Sequence, residues 1–199
     1  IKGKLIKRYK RFFTDVLDLQ NNLVTVHCPN TGSMKHCQVE GSPCWYSLSD
    51  NPKRKLPGTL EIVTTTHGNL AGVNTIRANY LVRQAIDRQF IKELTGYDQV
   101  TAEVRYGEEK SRIDFLLKDT TGRLRDCYLE VKNVTLSRKK KVAEFPDSVT
   151  SRGTKHLNEL INATKKGFKA YMLFVVQRND CDKFEIAKDI DPIYSKTLI

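Results

Sequence analysis

Two acidic residues and a lysine interrupt two otherwise apolar stretches in the middle of the chain. The stretches read RIDFLL, which contains Asp114, and YLEVKN, which contains Glu130 and Lys132. Burying a carboxylate is costly unless it is paired with a positive charge or bound to a metal. These charged residues are therefore the first candidates for a functional site.

Strand periodicity would bring the three charged side chains together. Residues two apart on a strand leave the same face, so Glu130 and Lys132 share one face. Leu129 and Val131 then point to the other face, into a core. The turn sequence DTTGR predicts that the two stretches are sheet neighbours, with Asp114 close to Glu130. Close carboxylates repel unless a proton or a divalent cation lies between them, and Mg²⁺ takes oxygen ligands.

This pattern has two interpretations. One is a catalytic metal site in which Lys132 holds or helps deprotonate an attacking water. The other is a salt-bridge cluster on a solvated sheet face. The apolar flanks, the basic composition and a following helix rich in phosphate-binding groups favour the metal site.

The helix that follows FPDSVTS begins with basic residues. Arg152 and Lys155 could grip the phosphate next to a scissile bond while His156 lines the site, or Lys155 could pair with Glu159 four residues on. Arg112 would share the face of Asp114, as a phosphate contact or as a counter-ion. We expect Asp147 to cap the helix or form a local salt bridge rather than bind a metal.

Charge and composition narrow the class of partner. The 199 residues carry a formal net charge of +11, which favours a polyanion such as DNA or RNA over an anionic membrane. Hydrophobic residues make up 39% of the chain, enough for a real core, and no apolar run approaches the length of a membrane span. A merely soluble basic protein and a non-catalytic RNA or membrane-surface module remain alternatives.

The five cysteines indicate whether the chain forms disulfides and whether it binds zinc. Their odd number and wide spacing argue against a disulfide framework and for a reducing, cytoplasmic location. The histidines and cysteines of the first domain do not have the spacing of familiar zinc modules, so buried thiols are the favoured interpretation. These residues are His27, Cys28, His36, Cys37 and Cys44.

The first 72 residues are typical of a small β domain. Several short strands separated by turns, without a helix, predict a five-stranded barrel of oligonucleotide-binding (OB) type. We expect Trp45, rather than its neighbour Tyr46, to pack in the core. The loop CPNTGSM is interpreted either as a tight structural turn or as a binding loop. Basic residues that could bind nucleic acid in this domain are Lys7, Arg8, Lys10, Arg11, Lys53, Arg54 and Lys55.

Residues 73–199 change to an α/β pattern. A helix over NTIRANYLVRQAIDRQFIKEL is predicted to bury a stripe that includes Ile76, Tyr80 and Ile86, with Ala85 or Leu81. Strands follow at 102–106, 113–117 and 127–131, separated by the turns GEEKS and DTTGR. A second helix ends at Gly167, and KAYMLFVV is a wholly apolar and therefore buried strand. The basic run at 137–141 is expected to be a mobile, exposed loop.

The acidic pattern, Asp114 followed by Glu130-Val131-Lys132 between two helices, resembles the PD-(D/E)xK nuclease superfamily. More closely, the chain is similar to the sugar fermentation stimulation protein A family. The stretches that carry this likeness are RYKRFFTDV, HCPNTGSM, SDNPKRK, VNT, YGEEKSRIDFLL, EVKNVTL and FPDSVTSRGTKHLNEL.

The resemblance implies an OB-like domain followed by a restriction-endonuclease-like mixed sheet flanked by helices, with DNA binding of little sequence specificity. It also implies that Asp114, Glu130 and the Val131 carbonyl bind Mg²⁺ or Mn²⁺ and that Lys132 positions the water. Many such nucleases use an acid from the first helix. Here that helix offers Gln84 and Asp87, with Glu93 near its end, and none is a clear match.

Two functions follow as hypotheses. The first is a metal-dependent nuclease that cleaves DNA, single- or double-stranded, or RNA. The second is a non-specific nucleic-acid-binding regulatory protein whose nuclease-like site is weak or silent. The oligomeric state is left open, with a dimer among the options.

Overall fold

The structure is a computed structural model that describes residues 1–107 and 111–199. Most of the predicted GEEKS turn lies outside these residues. The described chain forms two compact units that are discontinuous in sequence. The first comprises Ile1–Arg77, Asn133–Ser148 and Val176–Ile190, and the second comprises Ala78–Lys132, Val149–Val175 and Asp191–Ile199.

A β-barrel dominates the first unit. Its strands are β1 (Lys2–Tyr9), β2 (Phe13–Leu17), β3 (Leu23–His27), β4 (Pro43–Leu48), β5 (Gly58–Thr64) and β6 (Leu70–Gly72). They lie in the order β3-β2-β1-β4-β5-β6, and a pairing of β3 with β5 at His27 and Thr59 closes a barrel of five strands. The predicted OB-like barrel is confirmed.

Branched apolar residues and cysteines make up most of the core of the barrel. Cys28, Cys37 and Cys44 are fully buried in its core, in agreement with the interpretation as buried thiols. The prediction for Trp45 was wrong: Tyr46 is 3% exposed and belongs to the core, whereas Trp45 is only half-buried. Because side chains alternate along β4, the inward positions fall on Cys44 and Tyr46.

A second sheet in the first unit contains β10 (Leu136–Lys139), β11 (Val142–Phe145) and β13 (Lys183–Ile186). Strands β10 and β11 pair antiparallel, and β11 pairs parallel with β13. The expectation of a loop at 137–141 was therefore wrong. The basic run forms one strand and the turn of a hairpin, and Ser137 is buried at its start.

The second unit is built on a four-stranded sheet in the order β12-β9-β8-β7. Its strands are β7 (Gln99–Tyr106), β8 (Ser111–Lys118), β9 (Cys127–Val134) and β12 (Lys169–Val176), and the helices of the described chain are α1 (Thr75–Asp87), α2 (Ser151–Lys165), α3 (Pro192–Leu198) and a short 3₁₀ helix at Lys92–Leu94. The α+β class with mixed sheets is thus confirmed. Within the described residues no helix is long and apolar enough to cross a membrane.

Two apolar clusters hold helices against this sheet. One joins α1 to Phe115, Leu117 and Leu129, and the other joins Leu160 of α2 to Ile113 and its neighbours. Ile113 therefore packs in a different cluster from Phe115 and Leu117, although the three alternate along one strand.

The first helix buries a different stripe from the predicted one. Ala78, Val82 and Ile86 face the core, whereas Ile76 is 69% exposed and Tyr80 is 55% exposed. The helix also ends at Asp87 rather than near Gly96. Positions 78, 82 and 86 are spaced by four residues and form one continuous row, and their small or branched side chains let the helix lie close to the sheet.

Strand β12 is half-buried instead of fully buried, with Tyr171 36% exposed. It lies at an edge of the four-stranded sheet, where one side of the strand has no neighbour. Its apolar sequence alone did not reveal this edge position.

Candidate functional site

The site lies where β8 and β9 cease to pair. Their antiparallel register runs from Leu117 opposite Cys127 to Phe115 opposite Leu129. Asp114 and Glu130 are the next residues beyond it, so the predicted proximity of these strands at the two acids is observed. There the Val131 N–H donates to Oδ2 of Asp114 at 2.7 Å.

Asp114 is held from a second side by the first helix. Nδ2 of Asn79 donates to Oδ1 of Asp114 at 2.7 Å. Sequence reasoning missed Asn79 and proposed Gln84, whose Nε2 instead donates to the Tyr80 hydroxyl at 3.0 Å. Asp87 pairs with Arg83 on the exposed side of the same helix. The sequence does contain a signal for Asn79. It lies two helical turns before Ile86, so its side chain leaves the helix on the side that faces the core.

Two side chains contact one oxygen of Glu130, and a third side chain contacts one of them. Nζ of Lys132 lies 2.6 Å from Oε1, and Nδ1 of His156 contacts the same oxygen. Nε of Arg152 donates to Nε2 of His156 at 3.4 Å. Because arginine can only donate, Nε2 is the acceptor, which assigns the ring proton to Nδ1, facing Glu130.

The other oxygen of this glutamate has no such support. Glu130 is 3% exposed, and its Oε2 is buried without a hydrogen-bond partner among the described residues. A buried, unpartnered carboxylate oxygen is costly and calls for an explanation, of which an absent ion is one.

The two acids have opposite pKa shifts. Burial, together with the negative charge of Glu130, raises the pKa of Asp114. Burial also acts to raise the pKa of Glu130, but the hydrogen bond from His156 and the charge of Lys132 outweigh it, and its pKa is lowered. The surroundings therefore favour the charged form of Glu130 and disfavour that of Asp114.

The acids open into a pocket of about 410 Å³ lined by Glu103, Ser111, Arg112, Asp114, Glu130, Arg152, Lys155 and His156. Arg112, Arg152 and Lys155 bring three cationic groups to one pocket, as a phosphate site requires. Oγ of Ser111 is also buried without a partner in the described chain. Glu159 is 4% exposed and is therefore buried rather than on the surface of the helix.

The acids fit a divalent cation by their chemistry. No group of three His, Cys, Asp or Glu side chains within residues 1–107 and 111–199 forms a ready-made metal cage. Asp114 and Glu130 nevertheless supply carboxylate oxygens, negative charge and the unpartnered Oε2. These properties suit a cation that keeps several waters, as Mg²⁺ does.

Asp147 has a role in the first unit that the sequence did not reveal. It accepts hydrogen bonds from Oγ of Ser33 at 3.0 Å and from the Met34 N–H at 3.2 Å. Thr150, not Asp147, caps α2 through the Gly153 N–H. The capping prediction was therefore wrong, and Asp147 fixes the CPNTGSM loop.

The basic residues of the barrel divide into two groups. Arg8 donates to the carbonyls of Asn30 and Gly32, and Arg54 donates to Oγ1 of Thr59, so both arginines stabilise loops. Lys7 lies 3.8 Å from Asp15 with its head exposed. Exposed residues of the predicted set are Lys7, Lys10, Arg11, Lys53 and Lys55.

Aromatic rings lie beside these cations, and sequence reasoning missed two of them. Phe12 is 48% exposed and is stacked on His27, with ring centroids 6.5 Å apart. Partial burial, with the charge of Arg54, lowers the pKa of His27. Tyr9 stacks on Phe13 at 5.5 Å. Exposed rings among cations are typical of surfaces that bind single strands.

Comparison with known proteins gives the same family along the whole chain. Residues 6–73 match the model of the SfsA N-terminal OB domain, and residues 76–199 match that of the sugar fermentation stimulation protein RE domain. A sugar fermentation stimulation protein homolog from Maricaulis maris is 52% identical over 198 residues, covering 100% of this chain and 83% of the relative. A homolog from Pelagibacter ubique is 52% identical over 199 residues, with the same coverage.

A solved structure is also similar. The structure of Pyrococcus furiosus SfsA in complex with Ca²⁺ superposes with a TM-score of 0.87 and 25% sequence identity, and the match covers 99% of this chain and 81% of that one.

Proposed function

Because this chain belongs to the sugar fermentation stimulation protein (SfsA) family, we propose that it binds nucleic acid and hydrolyses phosphodiester bonds with Mg²⁺ or Mn²⁺, with little sequence specificity. The net charge of +11 supports a polyanionic partner. An OB domain is of a class that commonly binds oligonucleotides. The five cysteines, all free, support a cytoplasmic location.

The observation that carries the proposal is the unpartnered Oε2 of Glu130 beside Asp114. A divalent cation bound by the two carboxylates would neutralise them and would polarise a phosphate and a water molecule. The Pyrococcus furiosus relative is described in complex with Ca²⁺, another cation that takes oxygen ligands, which supports a hard divalent cation here.

The Val131 carbonyl is a further ligand in this proposal. The N–H and C=O of one strand residue point to the same side in an antiparallel sheet. Since the Val131 N–H donates to Asp114 of β8, the Val131 carbonyl would point to the β8 side of its strand as well. This orientation supports one backbone oxygen in the coordination shell.

Other residues of the pocket would act on water and phosphate. Lys132 would hold the attacking water and stabilise negative charge that develops on the phosphate. His156 would keep Glu130 oriented through their hydrogen bond. Arg112, Arg152 and Lys155 would bind the phosphates that flank the scissile bond.

Cleavage assays test this function. The protein would be incubated with single- and double-stranded DNA and RNA in Mg²⁺, Mn²⁺, Ca²⁺ or EDTA. We expect Mn²⁺- or Mg²⁺-dependent cleavage that falls at least about a hundredfold in Asp114→Asn and Lys132→Ala. Lys118→Ala removes a lysine from the other end of β8, where it pairs with Asp126 at 3.0 Å, and is the matched control.

Cleavage that is absent, or equal in the wild type and both site variants, would overturn the nuclease function. The second candidate is then nucleic-acid binding without hydrolysis. It is favoured by the first helix, which gives Asp114 an amide rather than an acid. Binding that persists in the variants and weakens steeply with salt would identify that function.

A further inference from the structure

One residue of β7 has a backbone conformation that ordinary strand residues avoid. Glu103 has φ of 55°, in the left-handed region, although it lies inside β7 and is not a glycine. The flanking residues keep their strand partners, Ala102 opposite Phe115 and Val104 opposite Ile113. Strained residues of this kind persist where the surroundings fix them, often at functional sites.

The register aligns Glu103 with the two acids of the site. Glu103 lies between Ala102 and Val104, whose partners are Phe115 and Ile113, so the register of the flanking pairs aligns Glu103 with Asp114. Glu130 is the counterpart of Asp114 on β9, one residue beyond the paired part of those strands. Three carboxylates thus occur in one row across three neighbouring strands, and all three line the same pocket.

A row of three acids does not by itself indicate a bound ligand, so a second, independent observation is needed. Here that observation is Oε2 of Glu130, which is buried and without a partner in the described chain, on a residue that lines the pocket. The first helix supplies an amide, Asn79, in contact with Asp114. Lys132 and His156 contact Oε1 of Glu130, which leaves Oε2 for a group that enters the pocket.

We propose that Glu103 is the third carboxylate of the divalent-cation site and holds the cation through a bound water. This inference rests on the proposed function. The three acids do not form a direct three-ligand cage, which is why the contact is made through water. Mg²⁺ and Mn²⁺ retain waters readily, and an exposed glutamate at the pocket wall suits their hydrated side. Glu103 is accordingly a positioning residue for the cation.

Calorimetric titration of the nucleic-acid-free protein with Mn²⁺ tests the proposal. Glu103→Gln keeps the size of the side chain and removes its charge, and we expect the Kd for Mn²⁺ to rise about tenfold. Glu93→Gln alters an exposed glutamate of the 3₁₀ helix outside the pocket and should leave the Kd unchanged. Asp114→Asn should abolish binding.

A second variant separates the carboxylate from the backbone. Glu103→Gly also removes the charge, but glycine adopts φ of 55° without strain. We expect the cation-free Tm of this variant to equal or exceed that of the wild type while its Mn²⁺ affinity falls as in Glu103→Gln. A purely structural role would instead leave affinity intact in both variants.

The Mn²⁺ titration distinguishes failure of this inference from failure of the proposed function. If the wild type binds Mn²⁺ and Glu103→Gln binds it equally well, only the role of Glu103 is overturned. If the wild type binds no Mn²⁺, the cation site itself is overturned, and this inference with it.

Discussion

The backbone N–H of Val131 donates a 2.7 Å hydrogen bond to the Asp114 carboxylate at the point where β8 and β9 stop pairing. A side chain of one strand thus takes the place that a main-chain carbonyl would occupy in a continued ladder. Asp114 and Glu130 are the first residues beyond the last pair of these two strands. The geometry of the site is therefore a consequence of where β8 and β9 stop pairing.

Asn79 is expected to position Asp114 for the cation. Asn79→Ala removes the 2.7 Å hydrogen bond to Oδ1, so we expect the Kd for Mn²⁺ to rise about tenfold, as is typical when a partner of a metal ligand is lost. Gln84→Ala, on the same helix, removes only a bond to Tyr80 and is the matched control. Equal Mn²⁺ affinities of the two variants in calorimetry would exclude this role.

Cation binding should weaken on acidification earlier than at an ordinary aspartate. Burial and the charge of Glu130 raise the pKa of Asp114, so its carboxyl takes up a proton at higher pH than usual. In the cation-free fold, ionisation of this group opposes stability, and that cost appears as pH rises from the ordinary to the raised pKa.

Since the cation requires the ionised form, the rise in Tm on adding Mn²⁺ should already shrink over the pH range between neutrality and the ordinary aspartate pKa. Thermal unfolding at a series of pH values measures this shift. A shift that is constant over that range would contradict the assignment of Asp114 as a ligand.

Arg138 and Glu144 are expected to stabilise the first unit. Arg138 donates from Nη2 to one oxygen of Glu144 at 2.7 Å and from Nε to the other at 3.1 Å, and Glu144 is 2% exposed. We expect Glu144→Gln to lower the free energy of unfolding by about 2 kcal/mol near neutral pH. Glu185→Gln, in the exposed pair with Lys139, should lower it by less than about 0.5 kcal/mol.

This contribution has a defined pH dependence. The hydrogen bonds from Arg138 lower the pKa of Glu144, so its stabilisation is complete above the ordinary glutamate value and is lost as pH falls toward the lowered pKa. Denaturant unfolding of the wild type and Glu144→Gln at about pH 7 and about pH 3 should therefore give a difference that narrows in acid. A difference that widens in acid would contradict the sign.

Phe12 is expected to stack on a base of a single strand. Because the ring is 48% exposed beside Lys10 and Arg11, we expect Phe12→Ala to weaken binding of single-stranded DNA by about 2 kcal/mol, roughly thirtyfold. Leu19→Ala removes another exposed apolar side chain, 69% exposed, and should have no effect. Fluorescence anisotropy at fixed salt measures both, and equal losses would indicate nonspecific surface effects instead of stacking.

Sequence periodicity could predict the centre of the site because the relevant rules are local. Alternation along two strands joined by a short turn was sufficient to bring Asp114 and Glu130 to neighbouring positions. The OB-like barrel followed in the same way from short strands without a helix. Both inferences depended only on residues close in sequence.

Other features depended on contacts between distant segments. Ala78 is buried and Tyr80 is exposed because the side of α1 that carries Ala78 packs against the sheet. Hydrophobicity alone favoured the side that carries Tyr80. Asn79 was missed because its partner lies 35 residues away. The positive φ of Glu103 could not be predicted, because glutamate is not a residue type that favours the left-handed region. These details required the packing of the whole unit.

Crystals grown or soaked with Mn²⁺ test the central claim most directly. We expect an anomalous difference peak between Asp114 and Glu130, with Oε2 of Glu130 within about 2.3 Å of the centre of the peak. We expect this peak to be lost in Asp114→Asn. Fully occupied Mn²⁺ elsewhere, with no peak between these two carboxylates, would contradict it.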